Sequence, residues 1–562
     1  MLQTEHIGAE LLLRTWVTCG LKEVVLSPGS RNAPLVIAAA QFPELKLITA
    51  LDERSAAHIA LGLALQTRRP ALVISTSGTA AINHGPGIAE AHFQRIPLIS
   101  VTADRPIQAR NSGPGQFVHQ TNLFAAHTEW STELNELSAA PNEIVRTALD
   151  AWQHAQSGPV HVNLPMDEPL YGMRECEAAT MPDLEEPLGA QAAREFAQEA
   201  DPMPEALADL LNAYDVKVLL HVGASTSEKL TEDMALELSE RCGLVVDAFG
   251  CMSHVPASSP AHWMAAWSAS DPERWRPDVI LTTGLPPMDK QLRAHLTRWN
   301  VPHWHLGEHD HAWDMFHSLA GHWKRNALSA LVELSESMAA PNAYAGNWQV
   351  QQLQIERAET QLHDEEWTDF NAFRFLAQHL ADEGVIHCAN STSARYAQWF
   401  NWGQRRLHAN RGVAGIDGCL STAVGDALQH PDHSVVLLTG DAAWLYDANG
   451  LHVTPQPSNL KVIVINNGGG NIFRWLDGPR NTGLLEPHFE ASFAQNVRGS
   501  AEQLGMSYHV ATDQESLRSS FSAWHNNPGL ALLEIQTPGA ASAQAQLQRM
   551  RNLAEALKKS TS

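Results

Sequence analysis

Short apolar runs recur along this chain, and nearly every one breaks into a loop rich in Gly, Ser, Asn, Asp or Pro. In the first third they are KEVVLS (22–27), LKLITAL (45–51), ALVIST (71–76), PLISVTA (97–103) and PVHVNL (159–164). A run without polar alternation is a strand buried on both faces, and the helical pattern between runs is the crossover that lets successive strands pair in parallel. The stretch ERSAAHIALGLALQ after the second run is such a pattern. The expected class is therefore α/β, with doubly wound parallel sheets covered by helices.

The alternation is repeated twice. VKVLLHVG (216–223), CGLVVDAFG (242–250), DVILTTG (278–284) and VPHWHLGE (301–308) form a second series. GVIHCANS (384–391), SVVLLTGD (434–441), LKVIVINN (460–467) and LALLEIQT (530–537) form a third. Residues 173–205, rich in Glu, Ala and Pro, and MAAPNAYAGNW (338–348) read as linkers between them. A chain of 562 residues exceeds what one core organises. We divide it into α/β domains at 1–184, 185–345 and 346–562. In open sheets of this kind ligands bind beyond the carboxyl ends of the strands, so the residues that follow the apolar runs carry the chemistry.

Charge narrows the ligands. With 38 basic and 62 acidic residues the net charge is −24, and no Lys/Arg-rich run interrupts it. Such a field repels nucleic acid and anionic lipid, and neither is expected as a partner. An anionic ligand would need a local island of cations. No apolar run reaches the ~18 residues that span a bilayer. The N-terminal MLQTEHIGAELLL lacks a basic region and a cleavage site, so a cytoplasmic protein is expected. Cys19, Cys176, Cys242, Cys251, Cys388 and Cys419 lie far apart with no CxxC, the pattern of scattered reduced thiols.

The most informative stretch is Gly440-Asp441-Ala442 followed by Asn466-Asn467, with Gly469 just beyond. Asp441 follows one apolar run and Asn467 ends the next. Mg²⁺ takes hard oxygen ligands in an octahedron and is commonly shared with substrate phosphates. A carboxylate, an amide oxygen and the Gly469 carbonyl at neighbouring strand ends supply half of such a shell, and helix N-termini there add N–H donors to phosphate. The plainer alternative is an Asp N-cap beside an Asn-Gly turn.

This pairing resembles the thiamine-diphosphate-binding motif, a Gly-Asp-Gly run that closes further along on Asn-Asn. Ala442 stands here at the third position, which leaves both metal ligands intact. The resemblance implies thiamine diphosphate as cofactor with Mg²⁺, or Mn²⁺ in its place. It also implies a carboxylate on the cofactor's aminopyrimidine ring that promotes proton loss from the thiazolium carbon. Glu53, just past the run 45–51 and opening a helical stretch, matches that carboxylate. Alone it would read as a first-turn acid complementing the helix dipole.

SPGSRNAPL (27–35), LDERSAAHIALGLA (51–64), TSGTAA (76–81), TADRP (102–106), NRGVAGIDGCLSTA (410–423) and NNGGGNIF (466–473) follow in order across nearly the whole chain. Together they resemble the 2-succinyl-5-enolpyruvyl-6-hydroxy-3-cyclohexene-1-carboxylate synthase family of menaquinone biosynthesis. The resemblance implies a transferase that decarboxylates 2-oxoglutarate and adds the succinyl carbanion to isochorismate. Both substrates are dicarboxylates, which call for bidentate arginine partners. Arg31, Arg105, Arg395 and Arg411 follow strands, and Lys290 follows the run 278–284. The family match assigns Ser391, Arg395 and Arg411 to carboxylates beside the cofactor. It assigns Ser30, Arg31, Arg105, Gln116 and Lys290 to the rest of the pocket, mainly for isochorismate. It makes Ile416 the apolar prop of a bent cofactor. Gly440, Ala442 and Asn466 border the cofactor, and Ile472, Phe473 and Leu476 form an apolar wall. Gly115, where relatives carry Asn, and Gln291, where relatives can carry a second cation, depart from the pattern. The family further implies a homodimer or a dimer of dimers, with active centres at subunit interfaces.

His303, His305, Glu308, His309, Asp310 and His311 crowd one strand and its loop, and period-two spacing puts His303 and His305 on one face. We read them as part of a histidine-rich chain and not as a second metal site. Three rival functions are weighed against that of the synthase. A pyruvate-type decarboxylase would carry adjacent histidines, and none occur; an acetolactate-type carboligase would bind flavin. A non-catalytic nucleotide-binding protein would need a phosphate loop, but GxxxxGK[ST] is missing and HVGAST falls short of GxGxxG.

Overall fold

The computed structural model describes residues 2–113, 115–175, 201–225, 229–250, 259–309, 312–338, 342–362, 366–380, 384–403, 405–492 and 496–561. Cys176, Cys251, Asp310, His311 and most of the first expected linker lie outside them. The chain forms two compact units. One comprises residues 1–198, 410–435 and 443–460; the other comprises 199–409, 436–442 and 461–562.

The first unit is built on a seven-stranded sheet. Its spatial order is Val453–Thr454, Lys46–Ala50, Glu23–Leu26, Ala71–Ser75, Leu98–Asp104, Pro159–Pro165 and Trp130–Glu133. All pairings are parallel except that of Val453–Thr454 at one edge. Every residue of Glu23–Leu26, Ala71–Ser75 and Leu98–Asp104 is buried, as uninterrupted apolar runs require. Alternate residues Val24, Leu26, Leu72, Ile74, Ile99 and Val101 pack on Leu11, Trp16, Ile144 and Trp152 of helices Ile7–Cys19 and Pro141–Ala155.

Helix Glu53–Thr67 is buried from Ser55 to Leu65. It lies against the central strands, helix Gly85–Gln94 and helix Cys419–Gln429. Its small residues permit this. A Cβ on Gly62 would lie 2.1 Å from the Thr422 carbonyl, and one on Gly425 would lie 2.1 Å from that of Ile59. The two helices therefore cross backbone to backbone, where only glycine fits.

The second unit holds two sheets. The first is wholly parallel, ordered Gly243–Val246, Val218–Val222, Val279–Thr283, His303–Leu306 and Leu319–Trp323. The second runs Arg406–His408, Val385–Cys388, Val435–Gly440, Leu460–Asn466, Ala531–Gln536 and Ser507–Ala511. Its two edge pairs and the Leu460–Asn466/Ala531–Gln536 pair are parallel.

The second expected linker needs correction. Residues 343–348 are the first turns of helix Ala343–Gln361, capped by the Asn342 side chain on the Ala345 N–H. Tyr344 and Trp348 are buried one turn apart, so a composition that resembled a linker is an N-cap followed by an anchored helix. Among the described residues no helix is long and apolar enough to cross a membrane, and Cys19, Cys242, Cys388 and Cys419 form no disulfide.

Candidate active site

The expected residues divide between the units. In the first, Glu53 opens helix Glu53–Thr67, whose N-cap Asp52 accepts from the Arg54 N–H at 2.9 Å. Its Oε2 accepts from Asn83 Nδ2 at 3.4 Å. Large apolar side chains beside it stand in solvent: Leu51, Ile82 next to Asn83, and Tyr446, on whose ring Arg54 stacks at 4.7 Å.

Ser30 is exposed and Arg31 buried. Their loop runs so close to the next that a Cβ on Gly29 would lie 2.3 Å from Thr76 Cβ. Arg31 donates to the Met166 carbonyl at 3.1 Å and pairs with Glu168 at 3.1 Å, while its buried Nε has no partner among the described residues. Burial and the neighbouring Arg105 drive its guanidinium below the ordinary value. Arg105 donates through Nε and Nη2 to the Gly115 carbonyl, at 3.1 and 2.7 Å. The Gly115 departure therefore costs this contact nothing, since any residue there offers the same carbonyl. Gln116 is exposed with φ 53°, against Gly78. Arg31 and Arg105 thus bring two guanidinium groups near one another, one of them held out of water and paired with Glu168.

Arg411 and Ile416 are half-buried in the loop ahead of helix Cys419–Gln429. That loop is held by a residue the sequence did not single out. Glu90 is 3% exposed and accepts from the Gly412 and Val413 N–H groups at 2.7 and 2.8 Å, steadied by Gln94 Nε2 at 2.5 Å. An acid inside an otherwise apolar helix, with an amide four residues on, is the only sequence sign of it.

In the second unit, Asp441 leaves strand Val435–Gly440 and is 2% exposed. Its Oδ1 accepts from the Ala442 N–H at 2.6 Å and its Oδ2 from the Gly468 N–H at 3.0 Å. Burial pushes the carboxyl up to about 6 despite these donors, and no cationic side chain pairs with it among the described residues. Ala442 lies in helix Asp441–Asp447, where alanine in place of glycine costs the backbone nothing. Asn467 Nδ2 donates to Asp369 at 2.8 Å. Asn466 Nδ2 donates to Glu534 at 2.7 Å. Gly469, at φ 137°, has no room for a side chain: a Cβ would meet the Glu490 carbonyl at 2.4 Å. Its own carbonyl accepts from the Asn471 N–H at 2.8 Å and keeps a second lone pair. A buried carboxylate lacking a cation, an amide and a carbonyl at adjoining strand ends fit a hard divalent ion. Gly440 is open, with nothing within 4 Å of a built Cβ. Ile472, Phe473 and Leu476 are half-buried, and Phe473 packs on Phe489 with ring centroids 5.8 Å apart.

Ser391 sits at φ 71°, ψ −127°, a conformation that only glycine adopts without strain. Its carbonyl accepts from Arg395 Nη1 at 2.8 Å. Lys290 is exposed at the start of helix Lys290–Trp299, and Gln291 contributes its N–H to the Asp289 cap. His303 and His305 share a face, both meeting the Thr282 hydroxyl at 2.8 and 2.9 Å. Among the described residues no three or more His, Cys, Asp or Glu side chains are grouped to hold a metal.

Parallel sheets with loops at their strand ends are a frame on which ligands bind, and the class is that of thiamine-diphosphate enzymes. The N-terminal TPP-binding domain of thiamine pyrophosphate enzymes matches residues 7–127, and the C-terminal TPP-binding domain matches 386–535. A 2-succinyl-5-enolpyruvyl-6-hydroxy-3-cyclohexene-1-carboxylate synthase of Flavobacterium johnsoniae is 32% identical, covering 92% of this chain and 94% of its own. Those of Porphyromonas gingivalis and Synechococcus elongatus are each 31% identical, covering 94% and 91% of this chain and 94% and 90% of their own. The chain belongs to the 2-succinyl-5-enolpyruvyl-6-hydroxy-3-cyclohexene-1-carboxylate synthase family.

Proposed function

We propose that this enzyme decarboxylates 2-oxoglutarate and adds the succinyl carbanion 1,4 to isochorismate, releasing carbon dioxide, as a step of menaquinone biosynthesis in the cytoplasm. The observation that carries the reading is the family relationship over more than nine-tenths of the chain. The nearness of the like-charged Arg31 and Arg105 supports a dianionic acceptor. Thiamine diphosphate, when bound, supplies the nucleophilic carbon and the electron sink for decarboxylation. Asp441, Asn467 and Gly469 would hold Mg²⁺, or Mn²⁺, with Gly440, Ala442 and Asn466 bordering the cofactor. Glu53 holds the proton at the aminopyrimidine nitrogen. Ile416, Ile472, Phe473 and Leu476 would wall the cofactor and exclude water and stray protons from it. Ser391, Arg395 and Arg411 orient 2-oxoglutarate; Ser30, Arg31, Arg105, Gln116 and Lys290 orient isochorismate.

Domains 1–184, 185–345 and 346–562 serve as pyrimidine-binding, central and diphosphate-binding parts. Each holds one of the three large sheets apart from strand Val453–Thr454. The working unit is a homodimer or dimer of dimers in which Glu53 of one chain serves the metal site of another. Exposed Leu51, Ile82 and Tyr446 around Glu53 support an interface there. The test is carbon dioxide release from 2-oxoglutarate with thiamine diphosphate and Mg²⁺, with and without isochorismate, on wild type and Glu53→Gln. Isochorismate-dependent release with formation of the adduct, lost in the variant, is the expected result. Turnover of pyruvate, or indifference to isochorismate, refutes the assignment.

A further inference from the structure

Asp369 is the first residue of helix Asp369–His379, and its side chain is completely buried. No cationic side chain pairs with it among the described residues. Uncharged donors converge on it instead. Asn467 Nδ2 donates to Oδ2 at 2.8 Å and Asn471 Nδ2 donates at 3.5 Å, while the Thr537 hydroxyl donates to Oδ1. Its backbone N–H donates to the Ser542 hydroxyl at 3.0 Å. One carboxylate therefore ties a helix start to the loops that follow strands Leu460–Asn466 and Ala531–Gln536.

Burying a carboxylate without a counter-charge is costly, and an amide or hydroxyl would join the same segments for less. What a carboxylate does that an amide cannot is accept only. An asparagine facing it has to present its NH₂, so the amide oxygen is turned to the opposite side. The Asn467 backbone is fixed too, since a Cβ on Gly539 would lie 2.3 Å from its carbonyl.

We propose that Asp369 is a positioning residue for the divalent cation: it locks the Asn467 amide so that oxygen, and never nitrogen, faces the metal. This rests on the reading of Asp441 and Asn467 as metal ligands. In Asp369→Asn the two amides can pair in either sense, and the orientation that turns NH₂ toward the cation becomes populated.

The test is a Mg²⁺ titration of the full chain with thiamine diphosphate, followed by calorimetry and by the Mg²⁺-dependent rise in melting temperature. Wild type, Asp369→Asn, Thr537→Ala and the double variant Asp369→Asn/Asn467→Asp are compared. Loss of an outer partner of this kind weakens metal affinity by roughly 10–100-fold, which is the effect expected of Asp369→Asn. Thr537→Ala removes a different donor from the same carboxylate and should lower the metal-free melting temperature while keeping Mg²⁺ affinity. The double variant reverses donor and acceptor and should regain affinity, even if the single variant folds poorly. Wild-type affinity in Asp369→Asn, an equal loss in Thr537→Ala, or no recovery in the double variant overturns the inference. A wild type indifferent to Mg²⁺ overturns the metal reading itself, and this inference with it.

Discussion

The crossing of helices Glu53–Thr67 and Cys419–Gln429 sets a steric test. In Gly62→Ala the new methyl group would stand 2.1 Å from the Thr422 carbonyl oxygen and 3.0 Å from both the Asp426 nitrogen and Gly425 Cα. A carbon and a carbonyl oxygen approach no closer than about 3.3 Å even in a weak C–H···O contact, so the shortfall is about 1.2 Å. All three obstructing atoms are helix backbone and no rotamer relieves them. The helices have to separate by about 1 Å, which forfeits a quarter to a half of each dispersion contact along the seam. That puts the cost at the upper end of overpacking, about 3 kcal/mol, offset by the ~0.5–1 kcal/mol that alanine gains over glycine in a helix. A net loss of about 2 kcal/mol lowers the melting temperature of a unit of this size by roughly 4–8 °C. Gly346→Ala is the control. It lies in helix Ala343–Gln361 with nothing within 4 Å of a built Cβ, so only the propensity gain applies and the protein should be slightly stabilised. Differential scanning calorimetry of the metal-free proteins reads both. If Gly62→Ala melts at or above wild type, the backbone-to-backbone crossing is refuted.

Two further outcomes follow from the strand-end loops. Burial raises Asp441 to about 6, so its protonated form is favoured in the metal-free fold; the associated stability is full below the ordinary carboxylate value and is lost as pH rises through about 6. A metal must displace that proton, so Mg²⁺ affinity measured by calorimetry should fall about tenfold per pH unit below about 6 and level off above it; an affinity flat from pH 5 to 7 counts against Asp441 as ligand. Ser391→Gly relieves a backbone strain of about 1–3 kcal/mol, so its metal-free melting temperature should rise while turnover of 2-oxoglutarate falls; a lower melting temperature would show that the conformation is unstrained.

Much of the architecture was legible because buried parallel strands leave uninterrupted apolar runs. Thirteen were read from the sequence, and strands such as Ala71–Ser75, Val279–Thr283 and Leu460–Asn466 lie within them. Sheet edges were not legible. Trp130–Glu133 and Ser507–Ala511 are part-exposed along much of their length, and their mixed polarity carries no periodic signal. Asp441 and Asn467 stood out because a rule about strand ends points at them. Glu90 and Asp369 did not, because each gains its role from donors far away in sequence: the 412–413 backbone for one, Asn467 and Thr537 for the other. A lone acid carries no mark of the hydrogen bonds it will receive. Nor does composition reveal that residues 410–435 and 443–460 complete the first unit; the small-residue face of helix Glu53–Thr67 is the one trace of that return.

Gly62 and Gly425 stand about 360 positions apart. At the ~5–20 residues per second of ribosomal synthesis, helix Glu53–Thr67 waits roughly 20–70 s for the helix that covers it. Throughout that interval the nascent first sheet carries an unsealed apolar seam beside Glu53. Neither unit is a continuous stretch of chain, so no single cut releases a self-sufficient fragment. Residues 410–435 and 443–460 complete a unit whose sheet is otherwise synthesised first. A cell making this enzyme must shelter that seam from neighbouring chains until helix Cys419–Gln429 has been made.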